Sequence, residues 1–441
     1  MVGKIIFRSR EILPDYEDED MGMQVLVNLN FSDADSSEVN GHFQVQAIVT
    51  NKQDSTELEF ELPPITEIQN YYYLWKNNYY NLVDPQNTEH TSIKGFHEQE
   101  NSNVTAVEVE NKKKEIEDKI KAYQEECLKY SETLRHQLNQ WLLPIKTELE
   151  KVEFIQSKSE IYFVINTQNI TSEAITETLH KIPWREWDYF KKCDALEAVL
   201  YLHKTESNIQ SIVDDGIFRR VRITSIFGDV ENIKEGVERD KEEIEKLEKR
   251  GAELIHLEQP QRPDLKKLWD EPCDILFYSG HSNSEENSTA GRFKINKNDN
   301  LSLEEITNTL REATKKGLKI AIFNSCDGLG LACELAKLGL PYILVWRESV
   351  PDKIAQKFIE YFLSSYSNGK SLFDSVRDAR IKLKELTNKE DSSKQIPGLE
   401  WLPIVCVSTK DEPPLWEELG GLTGKLPDSP YRGLLAFGEE E

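Results

Sequence analysis

The fold of this chain is decided by the stretch Lys319-Ile-Ala-Ile-Phe-Asn-Ser-Cys326-Asp-Gly328, read together with Asp274-Ile-Leu-Phe-Tyr-Ser-Gly-His281-Ser282 upstream. Each is an apolar run of strand length that ends in small, turn-forming residues. Such a run predicts a parallel strand that is covered by helices on both faces. The carboxyl ends of parallel strands form the crevice where open α/β sheets bind ligands. His281 and Cys326 stand where the two apolar runs stop.

These two side chains form a candidate catalytic pair. A neutral imidazole beside a thiol can accept its proton, and the resulting thiolate is a nucleophile. The order Ser325-Cys326-Asp327-Gly328, with His281 45 residues upstream of Cys326, is similar to the caspase signature of a small residue, Cys, any residue and Gly. Burial in the core is the alternative for both residues, because single Cys and His residues commonly serve packing.

Charge and cysteine content restrict the class of partner. The 441 residues include 54 Lys and Arg against 79 Asp and Glu, which gives a net charge of −25. A surplus of this size repels phosphate backbones and anionic lipid, so we expect neither nucleic acid nor a membrane surface as partner. The six cysteines show no CxxC pair and no metal-ligand spacing, so we expect no metal and no cofactor.

The cellular location follows from the same features. Scattered cysteines are typical of a reducing cytoplasm. The first ten residues lack the apolar core of a signal peptide, and no run of about 18 apolar residues occurs. The sequence therefore predicts a soluble, cytoplasmic protein.

Pattern changes divide the chain into four parts. Residues 1–66 alternate in polarity and predict a small β module that needs another surface to pack on. Residues 67–152 predict helices, first an aromatic one and then a long one over about 105–143 with apolar residues three and four apart. For that seam, packing within the chain and an oligomer contact stay equally open. Residues 153–410 predict an α/β domain, and residues 411–441 a linker or tail.

The α/β domain has the most regular pattern. Six strands are predicted at 220–227, 252–257, 274–279, 319–324, 342–346 and 401–407. Helices are predicted between them, at 231–250, 302–316, 329–339, 350–366 and 370–387. Strands that alternate with helices indicate a mostly parallel sheet with helices on both faces. The polar insertion from Ser282 to Asn300 follows the candidate His directly and is placed to act as a flap.

Residues from about 155 to 410 resemble the CHAT domain, a caspase-like peptidase family of clan CD. The resemblance rests on Phe277–His281, Phe323–Gly328, the helix start at Val350-Pro-Asp352, Ala379-Arg380 and Trp401-Leu-Pro403. It implies a six-stranded caspase-type sheet, with His281 as general base and Cys326 as nucleophile. The backbone N–H groups of Ser282 and Cys326 would hold the oxyanion. Many relatives have Gly where this chain has Ser282.

The resemblance also suggests a biological setting. The N-terminal portion looks like that of cyanobacterial CHAT proteins, and Ser429–Glu440 resembles the opening of a STAND-type NTPase module, which typically continues into WD repeats. A STAND NTPase or WD-repeat unit, in the same chain or a separate one, is therefore an expected partner. The implied activity is that of a regulated effector peptidase in signalling, defence or cell death, with activation as an expected requirement.

Two questions stay open from the sequence. Asp229, at the end of the first of the six strands, or Asp327 would line a pocket for Lys or Arg at P1, the substrate residue before the scissile bond. Helix capping is an equally open role for each carboxylate. The second question is whether the dyad is used at all, because a caspase-like scaffold that acts by protein contacts is the alternative function.

Overall fold

The computed structural model describes residues 6–7, 25–33, 42–50, 55–83, 106–152, 161–191, 196–202, 219–229, 234–266, 270–280, 282–283, 292–325, 328–389, 395–409 and 411–420. Within these ranges the chain forms one twelve-stranded sheet, a second sheet of three short strands, and helices packed on the large sheet. Among the helices so described, none is long and apolar enough to cross a membrane.

The strands are numbered along the chain. They are β1 (Ile6–Phe7), β2 (Val25–Asp33), β3 (Phe43–Thr50), β4 (Ser55–Leu62), β5 (Ile161–Asn169), β6 (Leu196–Tyr201), β7 (Val221–Phe227), β8 (Ala252–Glu258), β9 (Ile275–Ser279), β10 (Ser282–Asn283), β11 (Arg292–Lys294), β12 (Asn300–Ser302), β13 (Ile320–Asn324), β14 (Tyr342–Trp346) and β15 (Pro403–Val407). Strands β10, β11 and β12 form the small antiparallel sheet.

The six strands predicted for the α/β domain lie side by side in the order β8-β7-β9-β13-β14-β15. All neighbours pair in parallel except β15, which runs antiparallel to β14. Every residue of β9, β13, β14 and β15 is buried. Because alternate side chains of a strand point to opposite faces, this burial means that both faces are covered. The predicted mostly parallel, helix-covered sheet is confirmed.

The strand order creates a crevice at a defined place. From β7 the chain moves outward to β8, and it then returns past β7 to add β9 and β13 on the other side. At such a reversal the connections leave the carboxyl ends of the central strands on opposite sides, and a crevice opens between them. Strands β7 and β9 are the pair that flanks this switch point.

The N-terminal strands belong to the same sheet. Strand β2 pairs in parallel with β5, β5 with β6, and β6 with β15. Strands β1, β4 and β3 extend the sheet beyond β2 by antiparallel pairing. The surface on which the predicted β module packs is therefore the edge of the α/β sheet, while the division into residues 1–66, 67–152, 153–410 and 411–441 stays a prediction.

The α-helices are likewise numbered along the chain. They are α1 (Thr66–Val83), α2 (Ala106–Trp141), α3 (Leu143–Leu149), α4 (Glu173–Lys181), α5 (Lys234–Glu245), α6 (Leu303–Lys315), α7 (Leu329–Lys337), α8 (Asp352–Tyr366), α9 (Leu372–Lys389) and α10 (Trp416–Leu419). The break between α2 and α3 falls just before Pro144, whose ring is tolerated in the first turn of a helix but not in its interior.

The predicted aromatic helix, α1, is a packing element. Trp75 is fully buried and lies 5.2 Å, between ring centroids, from Trp401. The hydroxyl groups of Tyr72 and Tyr80 donate to the buried carboxylate of Glu348, just past β14. Helix α1 thus ties the N-terminal half of the chain to the loops at the carboxyl ends of the strands.

Helix α2 buries most of its apolar seam inside the same chain. Cys127, Leu134 and Leu138 are fully buried, and helix α1 packs alongside. The packing alternative therefore accounts for these positions. An oligomer contact through residues 105–143 stays a prediction for the surface of α2 that remains exposed, which includes Leu128.

Candidate functional site

The site is built on the carboxyl ends of three parallel strands that finish level with one another. In the register of the sheet, Phe227 of β7 lies opposite Ser279 of β9, and Ser279 lies opposite Asn324 of β13. Parallel pairing brings the segments that follow these residues out of the sheet at one edge.

The predicted catalytic residues follow these strand ends directly in sequence. His281 is two residues past Ser279, and Cys326 is two residues past Asn324. His281, Cys326 and Asp327 lie outside the described residues. Ser282 is the first residue of β10 and pairs with Phe293 of β11. The neighbours Gly280 and Ser325 are described, so the structure gives the two segments up to one residue before each member of the pair.

Two glycines let the backbone pack closely beside the switch point. A Cβ atom at Gly228 would lie 2.1 Å from the carbonyl oxygen of Lys294, and one at Gly280 would lie 2.9 Å from the Tyr278 hydroxyl and 3.1 Å from the Cα of Gly228. Contacts of this kind exclude any side chain. Gly228 is glycine because the last residue of β11 lies against the end of β7 at backbone contact distance, and Gly280 because the Tyr278 ring and the Gly228 backbone lie against it.

The predicted flap is a small antiparallel sheet fastened to the strand ends. The Lys294 carbonyl accepts hydrogen bonds from the Asp229 backbone N–H at 3.1 Å and from the Tyr278 hydroxyl at 2.9 Å. Two residues further along the chain, the Asn296 side chain donates to the Pro260 carbonyl at 2.7 Å. The insertion after the candidate His is therefore anchored at the edge of the large sheet where the dyad segments emerge.

Asp229 lies at this edge, directly after β7, as the sequence predicts. Its side chain is 2% exposed, and its Oδ2 lies 3.4 Å from the Nζ of Lys294, which is itself partly exposed. Burying a carboxylate without a cation beside it costs several kcal/mol, so removal of the cation is unfavourable. A basic substrate side chain would have to share this carboxylate with Lys294 or displace it.

A third carboxylate, which the sequence analysis did not identify, binds two of the strand ends together. One oxygen of Asp240, Oδ2, accepts hydrogen bonds from the Ser279 hydroxyl at 2.6 Å and from the Asn324 side-chain amide at 2.7 Å. The side-chain amide oxygen of Asn324, Oδ1, accepts in turn from the Trp346 indole N–H at 3.0 Å. The network joins the last residues of β9, β13 and β14 to helix α5.

A signal for Asp240 was present in the sequence. Helix α5 buries Val237, Asp240 and Ile244, which recur at helical spacing on one face of an otherwise charged helix. An aspartate within an apolar stripe is unusual, since an unpaired charge is rarely buried.

Asp240 is a buried acid with no ion-pair partner in the part of the chain that the structure describes. Burial raises the pKa of Asp240 to about 6, the hydrogen bonds from Ser279 and Asn324 lower it, and the nearby Asp352 and Glu243 add a smaller upward effect. Its other oxygen, Oδ1, is buried without a hydrogen-bond partner among the residues described. A carboxyl group that titrates near neutral pH is typical of functional sites.

The opposite end of β9 holds a carboxylate in the reverse situation. Asp274, directly before β9, accepts from the Arg219 guanidinium at 2.6 and 2.8 Å and from that of Arg222 at 3.0 and 3.1 Å. Burial alone would raise the pKa of Asp274, but these hydrogen bonds outweigh burial and hold the pKa below its usual value. The amino end of β9 therefore carries a carboxylate neutralised by two arginines, whereas the last residue of β9 donates to Asp240 of α5, which has no cation partner among the described residues.

The described cysteines are poor nucleophiles. Burial raises the pKa of Cys127 to about 12, that of Cys273 and Cys333 to about 11, and that of Cys406 well above its usual value. A thiol with a pKa this high is almost wholly protonated at neutral pH and therefore unreactive. Cys127, Cys273 and Cys406 are core cysteines, and Cys333 is half-buried.

A second Cys/His pair occurs in the described part of the chain, but its environment is different. The Cys333 sulfur lies 4.0 Å from His180 Nδ1, and His180 Nε2 lies 2.8 Å from the Thr167 hydroxyl. Burial, followed by the charge of Arg347, lowers the pKa of His180 to about 4. Both members of this pair are neutral and packed inside the protein, which is the arrangement of a structural contact.

No group of three or more His, Cys, Asp or Glu side chains within the described ranges is arranged to hold a metal ion. Asp229 and Asp240 lie at the sheet edge from which the two segments lead toward His281 and Cys326.

The strand order, the antiparallel last strand and the site at the ends of β9 and β13 define a caspase-like α/β fold. Residues 230–424 match the family model of the CHAT domain. Among solved structures, the Saccharomyces cerevisiae separase–securin complex at 3.0 Å resembles this chain with a TM-score of 0.51 and 11% identity, over 87% of this chain and 30% of that one. The chain thus spans about 30% of the separase chain to which it is similar.

Two further structures give lower scores. The complex of the Porphyromonas gingivalis RgpB pro- and mature domains has a TM-score of 0.37 and 12% identity, over 64% of this chain and 69% of that one. The Drosophila initiator caspase Dronc has a TM-score of 0.31 and 10% identity, over 48% and 90% of the two chains. No curated protein sequence gives a significant match. The predicted likeness to cyanobacterial proteins and the STAND-like tail, whose residues 421–441 lie outside the described ranges, stay predictions.

Proposed function

We propose that this chain is a cysteine endopeptidase in which His281 is the general base and Cys326 the nucleophile. The observation that carries the proposal is the register of the sheet. Ser279 and Asn324 are paired across adjacent parallel strands, and the chain reaches His281 from one and Cys326 from the other after the same number of residues. Segments that leave a sheet side by side can bring a base and a thiol within reach of each other.

The environment at the strand ends supports the same assignment. The switch point of the sheet flanks this edge, and open α/β proteins bind their ligands at such a point. The four described cysteines have raised pKa values because they are buried. Cys326 differs from them in its sequence position, because it comes two residues after Asn324, the last residue of the buried strand β13. Reactive cysteines commonly lie in loops that follow such strands.

The mechanism follows from the two groups. His281 accepts the proton of Cys326, and the thiolate attacks the carbonyl carbon of the scissile peptide bond. The oxyanion accepts hydrogen bonds from the backbone N–H groups of Ser282 and Cys326. The imidazolium then donates its proton to the leaving amine, which departs and leaves a thioester. Water, deprotonated by His281, hydrolyses the thioester and restores the thiol. Acid–base catalysis and the oxyanion contacts each contribute about two to four powers of ten in rate.

For substrate specificity we propose a basic P1 residue held by Asp229, with Asp327 as the second candidate. Asp229 is a buried carboxylate at the correct edge, and its cation, Lys294, belongs to the flap sheet. A substrate Lys or Arg that displaced Lys294 would exchange one ion pair for another, so the carboxylate would not be left unpaired in a buried position.

Covalent labelling of the full chain tests the catalytic proposal. A peptide chloromethyl ketone with Arg at P1 should modify Cys326, and the modified residue is identified by peptide mass mapping. Cys326→Ala should abolish labelling, and His281→Ala should lower its rate by a factor of about 100 or more. Cys333→Ala is the matched control, because Cys333 also has an imidazole nearby, and it should label at the rate of the unmodified protein.

Two results would contradict the proposal. Labelling that moves to Cys333, or labelling of Cys326 that is indifferent to His281, would show an accessible thiol without a catalytic base. For the specificity proposal, a peptide library should show cleavage after Lys and Arg, and Asp229→Asn should reduce that preference by about tenfold or more. A preference that survives Asp229→Asn but is lost in Asp327→Asn would transfer the role to Asp327.

The alternative function is a caspase-like scaffold within a STAND-type assembly. It is favoured by large apolar side chains exposed on α1 and α2, among them Tyr73 at 51% and Leu128 at 50%. Isolated exposed apolar residues are common, so this observation supports the scaffold less strongly than the register of the sheet supports the peptidase. A scaffold keeps its biological effect in Cys326→Ala, whereas a peptidase loses it.

A further inference from the structure

The last residues of the two dyad strands are held by a single atom. Asp240 Oδ2 accepts from Ser279 at the end of β9 and from Asn324 at the end of β13. The indole of Trp346 donates to the other end of the Asn324 amide, which fixes the amide so that its NH₂ group faces Asp240. The carboxylate is therefore an acceptor shared between two strand ends whose orientations are both determined.

Stability alone does not account for this carboxylate. Asp240 is 2% exposed, and no cation pairs with it in the part of the chain that the structure describes. Its Oδ1 is buried without a hydrogen-bond partner among the same residues. The groups that face it from the helices packed around it, Asp352 of α8 and Glu243 of its own helix, are acidic. Burying a charge in such surroundings is unfavourable.

We propose that Asp240 is a positioning residue of the catalytic site, which sets the separation and orientation of the β9 and β13 ends and so the approach of His281 to Cys326. The proposal rests on the peptidase function proposed above. The ladder of hydrogen bonds between the strands stops at Ser279 and Asn324, so the segments beyond are controlled by whatever fixes these two residues. A misplacement of about 1 Å between reacting groups can reduce a rate by about 100-fold.

The carboxylate geometry allows a sharp test. Asp240 uses one oxygen for both hydrogen bonds, so an asparagine can retain both by directing its amide oxygen to Ser279 and Asn324. A leucine has similar volume and no acceptor. Asp240→Asn should therefore keep the rate of Cys326 alkylation by the chloromethyl ketone within about fivefold of the unmodified protein, and Asp240→Leu should lower it about 100-fold.

Asp274→Asn is the matched control, because it alters a buried carboxylate at the other end of the same strand. It weakens the hydrogen bonds from Arg219 and Arg222 and should lower the unfolding midpoint, yet leave the alkylation rate of the folded protein unchanged. If Asp240 had a purely structural role, the alkylation rate would instead follow the unfolding midpoint in Asp240→Asn, Asp240→Leu and Asp274→Asn alike. Rescue by asparagine but not by leucine distinguishes the two explanations.

Ser279→Ala provides a second variant that adds no volume, should Asp240→Leu fail to fold. It removes one of the two donors and should lower the alkylation rate about tenfold. Leucine or alanine variants that fold and alkylate at the unmodified rate would overturn the positioning role, as would an Asp274→Asn variant that loses as much rate as Asp240→Leu. An unmodified protein whose labelling does not depend on His281 would instead overturn the peptidase function, and the positioning role with it.

Discussion

The pH dependence of stability in Asp240→Asn is the most quantitative consequence of the structure. Burial raises the pKa of Asp240 from 3.8 in the unfolded chain to about 6 in the folded protein. Between these values the folded state binds more protons than the unfolded state, so the free energy of unfolding falls as pH rises through the window from about 4 to 6. At about 1.4 kcal/mol per pKa unit, the whole effect is a loss of roughly 3 kcal/mol, and most of this loss falls between pH 4 and pH 7.

Asparagine removes this titration without changing the shape of the side chain. The difference in unfolding free energy, Asp240→Asn minus unmodified protein, should therefore rise by roughly 3 kcal/mol between pH 4 and pH 7. The absolute difference at any one pH also includes the cost of burying the asparagine NH₂ group at the Oδ1 position without an acceptor, which is about 1–3 kcal/mol. That contribution does not depend on pH, so the slope isolates the carboxyl group.

Urea unfolding of both proteins at half-unit intervals between pH 4 and pH 7.5 measures the difference. Asp274→Asn is the control, because the folded pKa of Asp274 lies below the usual value. Its carboxylate stabilises the folded state above the unfolded pKa and loses that effect only as pH falls below about 4, so the difference in unfolding free energy between Asp274→Asn and the unmodified protein should stay nearly constant between pH 4 and pH 7.5. Parallel stability curves for Asp240→Asn and the unmodified protein would refute the reasoning about burial.

Two further predictions concern the frame of the site. Gly228→Ala should displace β11 and abolish labelling of Cys326, because the new Cβ would lie 2.1 Å from the Lys294 carbonyl oxygen. Gly251→Ala is the control, since Gly251 has a φ of +82° and nothing lies within 4 Å of its Cβ position. That variant should lower stability by about 1 kcal/mol and leave labelling intact. Arg380→Met should lower the unfolding free energy by about 3–5 kcal/mol, because it leaves the fully buried Glu197 of β6 without its ion-pair partner. Adding Glu197→Gln should recover part of the loss. Urea unfolding of the single and double variants measures both effects.

The six strands of the α/β domain were predictable because parallel strands buried on both faces have continuous apolar sequences. Their bounds in the structure differ from the predicted ones by at most two residues, as at β15, which begins at Pro403 where a start at 401 is predicted. The end of α2 was predictable from Pro144, because a proline ring is not tolerated in a helix interior. Each of these features is encoded within a few neighbouring residues.

The extension of the sheet could not be predicted in the same way. The β2–β5 pair joins Val25 to Ile161, and the β6–β15 pair joins Leu200 to Cys406. Alternating polarity predicts that β2 is a strand, but it contains no information about a partner that distant in sequence. The partner of Asp229 is equally non-local, because Lys294 lies in an insertion that reads as polar and irregular.

The buried carboxylates at the two ends of β9 have opposite electrostatic surroundings. At the amino end, two arginines neutralise Asp274, which is the arrangement expected if stability alone were selected. At the carboxyl end, Asp240 has acidic neighbours, a raised pKa and one buried oxygen without a partner in the described residues. An asparagine would supply the same acceptor without the buried charge. Departures from local physical rules are expected at functional sites, and this one lies directly beneath the two segments that lead to His281 and Cys326.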